Sequence, residues 1–208
     1  MIHVVASASK TPPRAPAMDA DVDLDAHLAV VPSRGTCKGM FALDVVRKVE
    51  TLRASADIFA TAGVPRRAIR MFADVPYGQF LRLIHAGAGI LYPDVPRGEA
   101  LRRVGQAGYD AFVDSQIGRV LLGAAGRNFG RVARLGSRAY QVSTNLGSVT
   151  WTDISDNSGY YRFEGLPGFI ETYQVGIVEG AMMATGTEGE VTVRIESLHT
   201  GEIHINWS

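Results

Sequence analysis

The residues with chemical potential are few and far apart. Arg127, Arg131, Arg134 and Arg138 fall four, three and four apart. On a helix that spacing lines guanidinium groups along one face, suited to carboxylates or phosphates. His199, Glu202 and His204 gather near the C-terminus, and on a strand Glu202 and His204 would share a face as a surface metal pair does. Two or three dispersed ligands do not complete a metal site, so no metal is expected. His85 could be an axial haem ligand, but with Leu81 and Ile84 beside it on a helix it reads as a structural histidine. Cys37 stands beside Lys38, which could lower its pKa. With no histidine close in sequence, it reads as a buried, inert thiol.

The familiar catalytic and cofactor patterns are incomplete. Gly87-Ala88-Gly89 lacks the third glycine of a dinucleotide loop, and Gly123 to Gly130 lacks the Gly-Lys-Ser/Thr ending of a phosphate loop. Ser143, Ser148 and Ser155 have no Gly-x-Ser-x-Gly frame. Asp19, Asp21, Asp23 and Asp25 alternate like a calcium loop, but Leu24 and Val30 stand where that loop needs Gly and Glu. No catalytic residue, metal or cofactor is therefore expected, and the chain reads as non-enzymatic. What remains is apolar. Phe112, Trp151, Tyr161, Phe163, Tyr173 and Ile177 could line a cleft between helices and a sheet, or fill a core.

Composition bounds the rest. The 208 residues, 46% of them hydrophobic, suffice for one domain with an ordinary core. A single cysteine excludes an internal disulfide and any multi-cysteine metal cage. No apolar run reaches the roughly eighteen residues of a membrane helix. The opening MIHVVASASK has no basic leader, so a cytoplasmic protein is expected. The zero net charge hides a polarity. From Cys37 to Tyr140 there are 16 Lys and Arg against 8 acids, and from Gln141 onward 2 Arg against 9 acids. Opposite halves can attract within the fold or between protomers. That balance argues against nucleic acid and for an acidic protein partner.

Periodicity supplies the elements. Residues 1–27 are rich in Ala, Ser, Pro and Asp and are expected to form a disordered tail. Short strands are expected at Leu28–Val31 and Thr36–Phe41. Leu43, Val46, Val49, Leu52 and Ala56 then mark an amphipathic helix. Arg66 to Phe72 is read as a short helix. Asp74 followed by Pro76 reads as a helix start. Pro96 opens the longest helix, reaching Leu122, and another runs from Arg127 to Ala139. Beyond Gln141 to Asn145, a possible strand, period-two alternation takes over. Val149–Ile154 and Tyr160–Glu164 flank a turn, and so do Val191–Glu196 and Ile203–Trp207. Between these hairpins lies a helix from Gly168 to Thr185, on which Gly176, Gly180 and Ala184 make a smooth strip for close approach to a sheet. The expected fold class is α+β. Residues 28–208 form one domain, a helical block over 42–140 followed by a hairpin–helix–hairpin antiparallel sheet over 141–208.

The order of certain spaced residues resembles a paralogous family of unknown function expanded in myxobacteria. They are Gly39-Met40-Phe41, Gly63-Val64, Tyr77 to Phe80, and Gly105, Phe112, Ser115 and Gly118. Leu135-Gly136, Asn145, Pro167, Tyr173 to Ile177 and Trp207 complete the set. The resemblance spans about Thr36 to Trp207. That family is in turn distantly similar to haem–nitric-oxide-binding domains and to vinyl-reductase-like sensor domains, which implies a sensing or interaction module by analogy of fold. The chain departs from both. No tyrosine begins the Tyr-x-Ser-x-Arg motif of the haem domains, and no cysteine follows Cys37. The expectation is a non-catalytic cytoplasmic module, a homodimer that senses a small apolar ligand or docks an acidic partner.

Overall fold

The computed structural model describes residues 11–208 apart from 72 and 124. The first helix, α1 (Leu24–Ala29), is capped by the Asp23 side chain on the Ala26 amide. A three-residue strand β1 (Thr36–Lys38) then leads into α2 (Gly39–Leu52), and α3 (Ile58–Ala62) ends on left-handed Gly63. Strand β2 (Asp74–Pro76) runs antiparallel to β1, with Cys37 opposite Val75. Helix α4 (Tyr77–Leu91) is buried nearly all round, as suits the centre of a helical block. It is followed by α5 (Arg97–Asp114), α6 (Gln116–Leu122) and α7 (Phe129–Ser143).

The sheet comes last. Strands β3 (Ser148–Ser155), β4 (Ser158–Glu164), β5 (Gly189–Ser197) and β6 (Thr200–Trp207) form an antiparallel sheet in the order β3-β4-β6-β5. Tyr161 pairs with Ile203, and Val193 pairs with Ile203 from the other side. Side chains alternate as the period-two pattern predicts. Tyr161, Phe163, Val193, Ile203 and Ile205 are buried on the inner face, while Arg162, Arg194 and His204 stand on the outer one. Between the hairpins, a π-helical turn (Ile170–Gln174) opens into α8 (Val175–Thr185). The molecule is α+β, with helices first and an antiparallel sheet last.

Helix α8 departs from its expected seat. Its glycine strip meets helix α5, not the sheet. A Cβ at Gly176 would lie 2.0 Å from the Arg102 carbonyl oxygen, and one at Gly180 2.6 Å from that of Gln106. Reciprocally, a Cβ at Gly105 would lie 2.1 Å from the Tyr173 carbonyl oxygen. Glycine is required there because the two backbones touch. Ala184, expected to extend the strip, is exposed.

Other boundaries moved for local reasons. The predicted helix through Leu122 breaks at Ser115, whose hydroxyl accepts from the Gly118 amide and starts α6. Leu28 belongs to α1 rather than to a strand, and Asp74 sits in β2, not at a helix cap. The segment 66–72 holds one 3₁₀ turn, Arg66–Ala68, and Phe72 lies outside the described residues. Gln141 to Ser143 end α7, and Thr144 alone bridges Cys37. Asn145 completes that junction, its carboxamide accepting from the Thr36 amide at 2.7 Å and donating to the Arg34 carbonyl at 3.0 Å.

The tail reading is corrected for the described part of 1–27, while residues 1–10 lie outside it. Arg14 exchanges backbone hydrogen bonds with Val193 on the free edge of β5, at 2.9 and 2.7 Å. That contact satisfies edge groups which would otherwise face solvent. Met18 accepts from the Glu99 amide, and His27 is buried.

Candidate functional site

A cavity of about 120 Å³ lies where α7 spans the gap between β1, α5 and α8. Helix α7 contributes Val132, Gly136 and Ala139, and α5 contributes Gly108, Tyr109 and Phe112. The π-helical turn and α8 add Tyr173, Gln174, Ile177 and Ala181, while Tyr77 and Phe80 come from the start of α4. Aromatic edges hold the walls apart. Phe80 meets Tyr173 edge-on at 6.0 Å, and Phe41 stacks on Phe112 at 6.5 Å. No Lys, Arg, His, Asp or Glu is among the described residues of the lining.

The polar groups of the wall are mostly committed to one another. Gln174 is 2% exposed. Its Oε1 accepts a short hydrogen bond from the Tyr140 hydroxyl, and its Nε2 donates to the Gly168 carbonyl at 3.0 Å. The Tyr161 hydroxyl donates to the Ala133 carbonyl, tying the sheet to α7. Burial pushes the Cys37 thiol up to about 12, with the Asp74 carboxylate adding to the shift, so the thiol stays protonated. Burial likewise raises the Tyr77, Tyr140, Tyr161 and Tyr173 phenols above their ordinary value. At neutral pH the described wall carries no charge.

Of the six residues singled out for a pocket, Phe112, Tyr161, Tyr173 and Ile177 line this cavity. Phe163 is wholly buried beside it, its ring edge-on to Tyr140 at 5.5 Å. Trp151 sits farther along the sheet, against Tyr161 at 4.8 Å and Trp207 at 6.2 Å. The sequence reading missed Tyr77, Phe80, Tyr140 and Gln174 as lining residues. Tyr77 and Gln174 were in view only as parts of spaced motifs, and nothing local marked them as facing one space.

The arginine stripe is split. Arg127 lies in the turn before Asn128, which caps α7, so it is not on the helix. Arg134 pairs with Asp153 on β3 at 3.0 Å, and Arg138 donates to Gln141 at 3.3 Å. Arg131 and Arg138 are exposed. The charge polarity is partly closed within the chain. Arg102 on α5 grips Glu179 on α8 at 2.6 and 2.9 Å, a bidentate pair between the basic and acidic halves. On the outer face of the sheet, Glu202 is 8% exposed, 2.6 Å from Arg194 and 2.8 Å from His204. It is engaged by a cation rather than left for a metal. Among the described residues no three His, Cys, Asp or Glu side chains converge as a metal site.

The fold, helices followed by an antiparallel sheet, is similar to that of H-NOX proteins. The H-NOX protein from S. oneidensis in its Fe(II)NO state superposes with a TM-score of 0.64 at 10% identity, over 82% of this chain and 99% of that one. The Fe(II) unliganded H-NOX protein from K. algicida gives 0.61 at 12% identity, covering 82% and 96%. A mutant of the T. tengcongensis H-NOX protein gives 0.61 at 14% identity, covering 82% and 97%. These identities establish likeness of fold alone. Residues 31–208 match the family described as "Protein of unknown function (DUF2378)", and the chain belongs to that family. None of the curated proteins matches it.

The fold raises haem as a candidate group, and the residues present do not fit one. The described lining offers no histidine, and its one thiol is held protonated. It offers no cation for a carboxylate-bearing macrocycle either. His85, the candidate axial ligand, lies on the other side of α4, its ring 6.4 Å from Phe169 and near the Val22 backbone. No helix among the described residues is long and apolar enough to cross a membrane.

Proposed function

We propose that this protein is a non-catalytic sensor module that binds a small, neutral, apolar ligand in the cavity beneath α7. The observation that carries the reading is the lining itself, whose described residues are mostly aromatic and aliphatic and include no charged group. A charged ligand would lose hydration with no countercharge to replace it. The volume is of the order of engineered apolar cavities, roughly 150 Å³, that take up benzene. The H-NOX likeness supports sensing over catalysis, and so does the absence of a paired acid and base in the described lining. Binding would work by population shift. A ligand wedged between α7 and the α5–α8 pair favours packings in which α7 stands off. The exposed Arg131 and Arg138 on α7 then face an acidic protein partner or a second copy of the chain, in the cytoplasm.

Gly108 supplies the test. Among the described residues a Cβ there would meet only the Tyr173 hydroxyl, at 3.5 Å, so a larger side chain extends into the cavity. Calorimetric titration with toluene, a neutral ligand of the size the cavity admits, should give saturable binding to the native chain. Gly108→Leu should abolish it, and native mass spectrometry of protein from its own host should show a discrete extra mass. Saturable binding that Gly108→Leu leaves unchanged, or no binding with a clean apo mass, overturns the reading.

A further inference from the structure

A second cleft, of about 240 Å³, lies on the opposite side of the π-helical turn. Three separate segments close it: residues 17–27 of the N-terminal region, the turn beginning at Phe169, and the end of β5 with the following turn. Its chemistry is the reverse of the first cavity's. Asp21, Asp23 and Glu171 line it, and each is engaged through one carboxylate oxygen. Asp21 Oδ1 accepts from the Val22 amide and Asp23 Oδ1 from the Ala26 amide, both at 3.0 Å. Glu171 Oε1 takes the Arg14 guanidinium and the Ala17 amide.

His27 adds an independent observation. It is 8% exposed, lines the cleft and packs on Phe169 at 4.4 Å, yet its Nδ1 has no hydrogen-bond partner among the described residues. A buried polar atom without a partner is costly unless something occupies the site. Phe169 is itself strained, with φ +53° in the left-handed region that favours glycine. Its ring stands against His27 in the cleft wall.

We propose that this cleft binds a primary alkylammonium group. One N–H donates to His27 Nδ1, the carboxylates of Asp21 and Asp23 supply the countercharge, and the alkyl stem lies along Phe169, Ile195 and Leu198. Burial holds the His27 imidazole down to about 4, so its ring is neutral and keeps a lone pair at physiological pH. Asp23 opposes that shift and His85 adds to it. The described residues offer no three-ligand metal cluster, which favours an organic cation over a metal ion. Free aliphatic amines and lysine side chains share this chemistry.

The test is calorimetry and imidazole NMR on the full chain with n-pentylamine, pentanol and Nα-acetyl-lysinamide at pH 7.5. Pentylamine should bind saturably, at least about tenfold tighter than pentanol, and shift the His27 ring nitrogen resonances. Tighter binding of acetyl-lysinamide than of pentylamine assigns the site to lysine side chains, and the reverse order to free amines. His27→Phe keeps the contact with Phe169 and should weaken pentylamine about tenfold or more. Asp21→Asn, at the exposed rim, should weaken it about threefold and reads the site should the histidine variant not fold. No saturable binding, equal binding of pentanol, or binding unchanged in both variants overturns the proposal. Binding of toluene in the first cavity is read separately and does not enter the outcome.

Discussion

Gly105 and Gly108 lie one turn apart on α5, and the helix changes character between them. At Gly105 the backbones of α5 and the π-helical turn touch, and a Cβ would fall 2.1 Å from a carbonyl oxygen. At Gly108 the nearest atom to a Cβ is the tip of Tyr173, 3.5 Å away. The first glycine closes a seam, and the second borders a space. Small residues at a helix contact thus carry opposite meanings, set by what stands across from them. The seam is rigid because Arg102 clamps Glu179 beside it. The space persists because Tyr77, Phe80, Phe112 and Tyr173 prop its walls, and rings cannot collapse into it as flexible side chains would.

The sharpest way to break this contrast is to crowd the seam. Gly176→Val places a branched side chain 2.0 Å from the Arg102 carbonyl oxygen, which is backbone and cannot rotate away. The expected loss is about 3 kcal/mol or more in a denaturant titration. Gln174→Leu comes next, because it strands the Tyr140 hydroxyl and the Gly168 carbonyl together. Its cost should be about 2 kcal/mol. Adding Tyr140→Phe should recover part of that loss, since a buried pair removed from both sides costs less than one broken on one side. Gly108→Leu should change stability by less than about 1 kcal/mol while eliminating ligand uptake. Equal destabilisation by Gly108→Leu and Gly176→Val would show that the space is not a space.

The sequence revealed what repeats and hid what converges. Alternation in Val191–Glu196 and Ile203–Trp207 gave the hairpin with the correct inner face, because strand period is written residue by residue. The four-apart spacing of Gly176 and Gly180 revealed a close approach but not its partner, since a smooth strip fits a helix as well as a sheet. The pairing of β1 with β2 was illegible. Three-residue strands carry no period, and the residue that bridges β1 from its other side, Thr144, is more than a hundred residues away. In the cavity, Phe112, Tyr161, Tyr173 and Ile177 were found because they are large and apolar. Gln174 was overlooked for the opposite reason. A buried amide is identified only once its partners, Tyr140 and Gly168, are known.

A further effect separates the two cavities by pH. The lining of the first is uncharged, so ligand uptake there should be flat across the neutral range. Stability should not be flat, because His27 sits beside the second. Its folded pKa is lowered from an ordinary 6.5 to about 4, chiefly by burial, so the unfolded chain takes up a proton that the folded one refuses. Above pH 6.5 the ring is neutral in both states and contributes no slope. As pH falls from 6.5 towards 4, the unfolded state gains the proton and stability declines, and below about 4 the loss is complete. His85 is lowered too, by burial and then by Arg97, and adds in the same direction. Denaturant titrations of the native chain between pH 7.5 and 4.5 should therefore show a decline that is shallower in His27→Phe. An unchanged slope in that variant would mean that the histidine is already protonated in the fold, with its Nδ1 unable to accept.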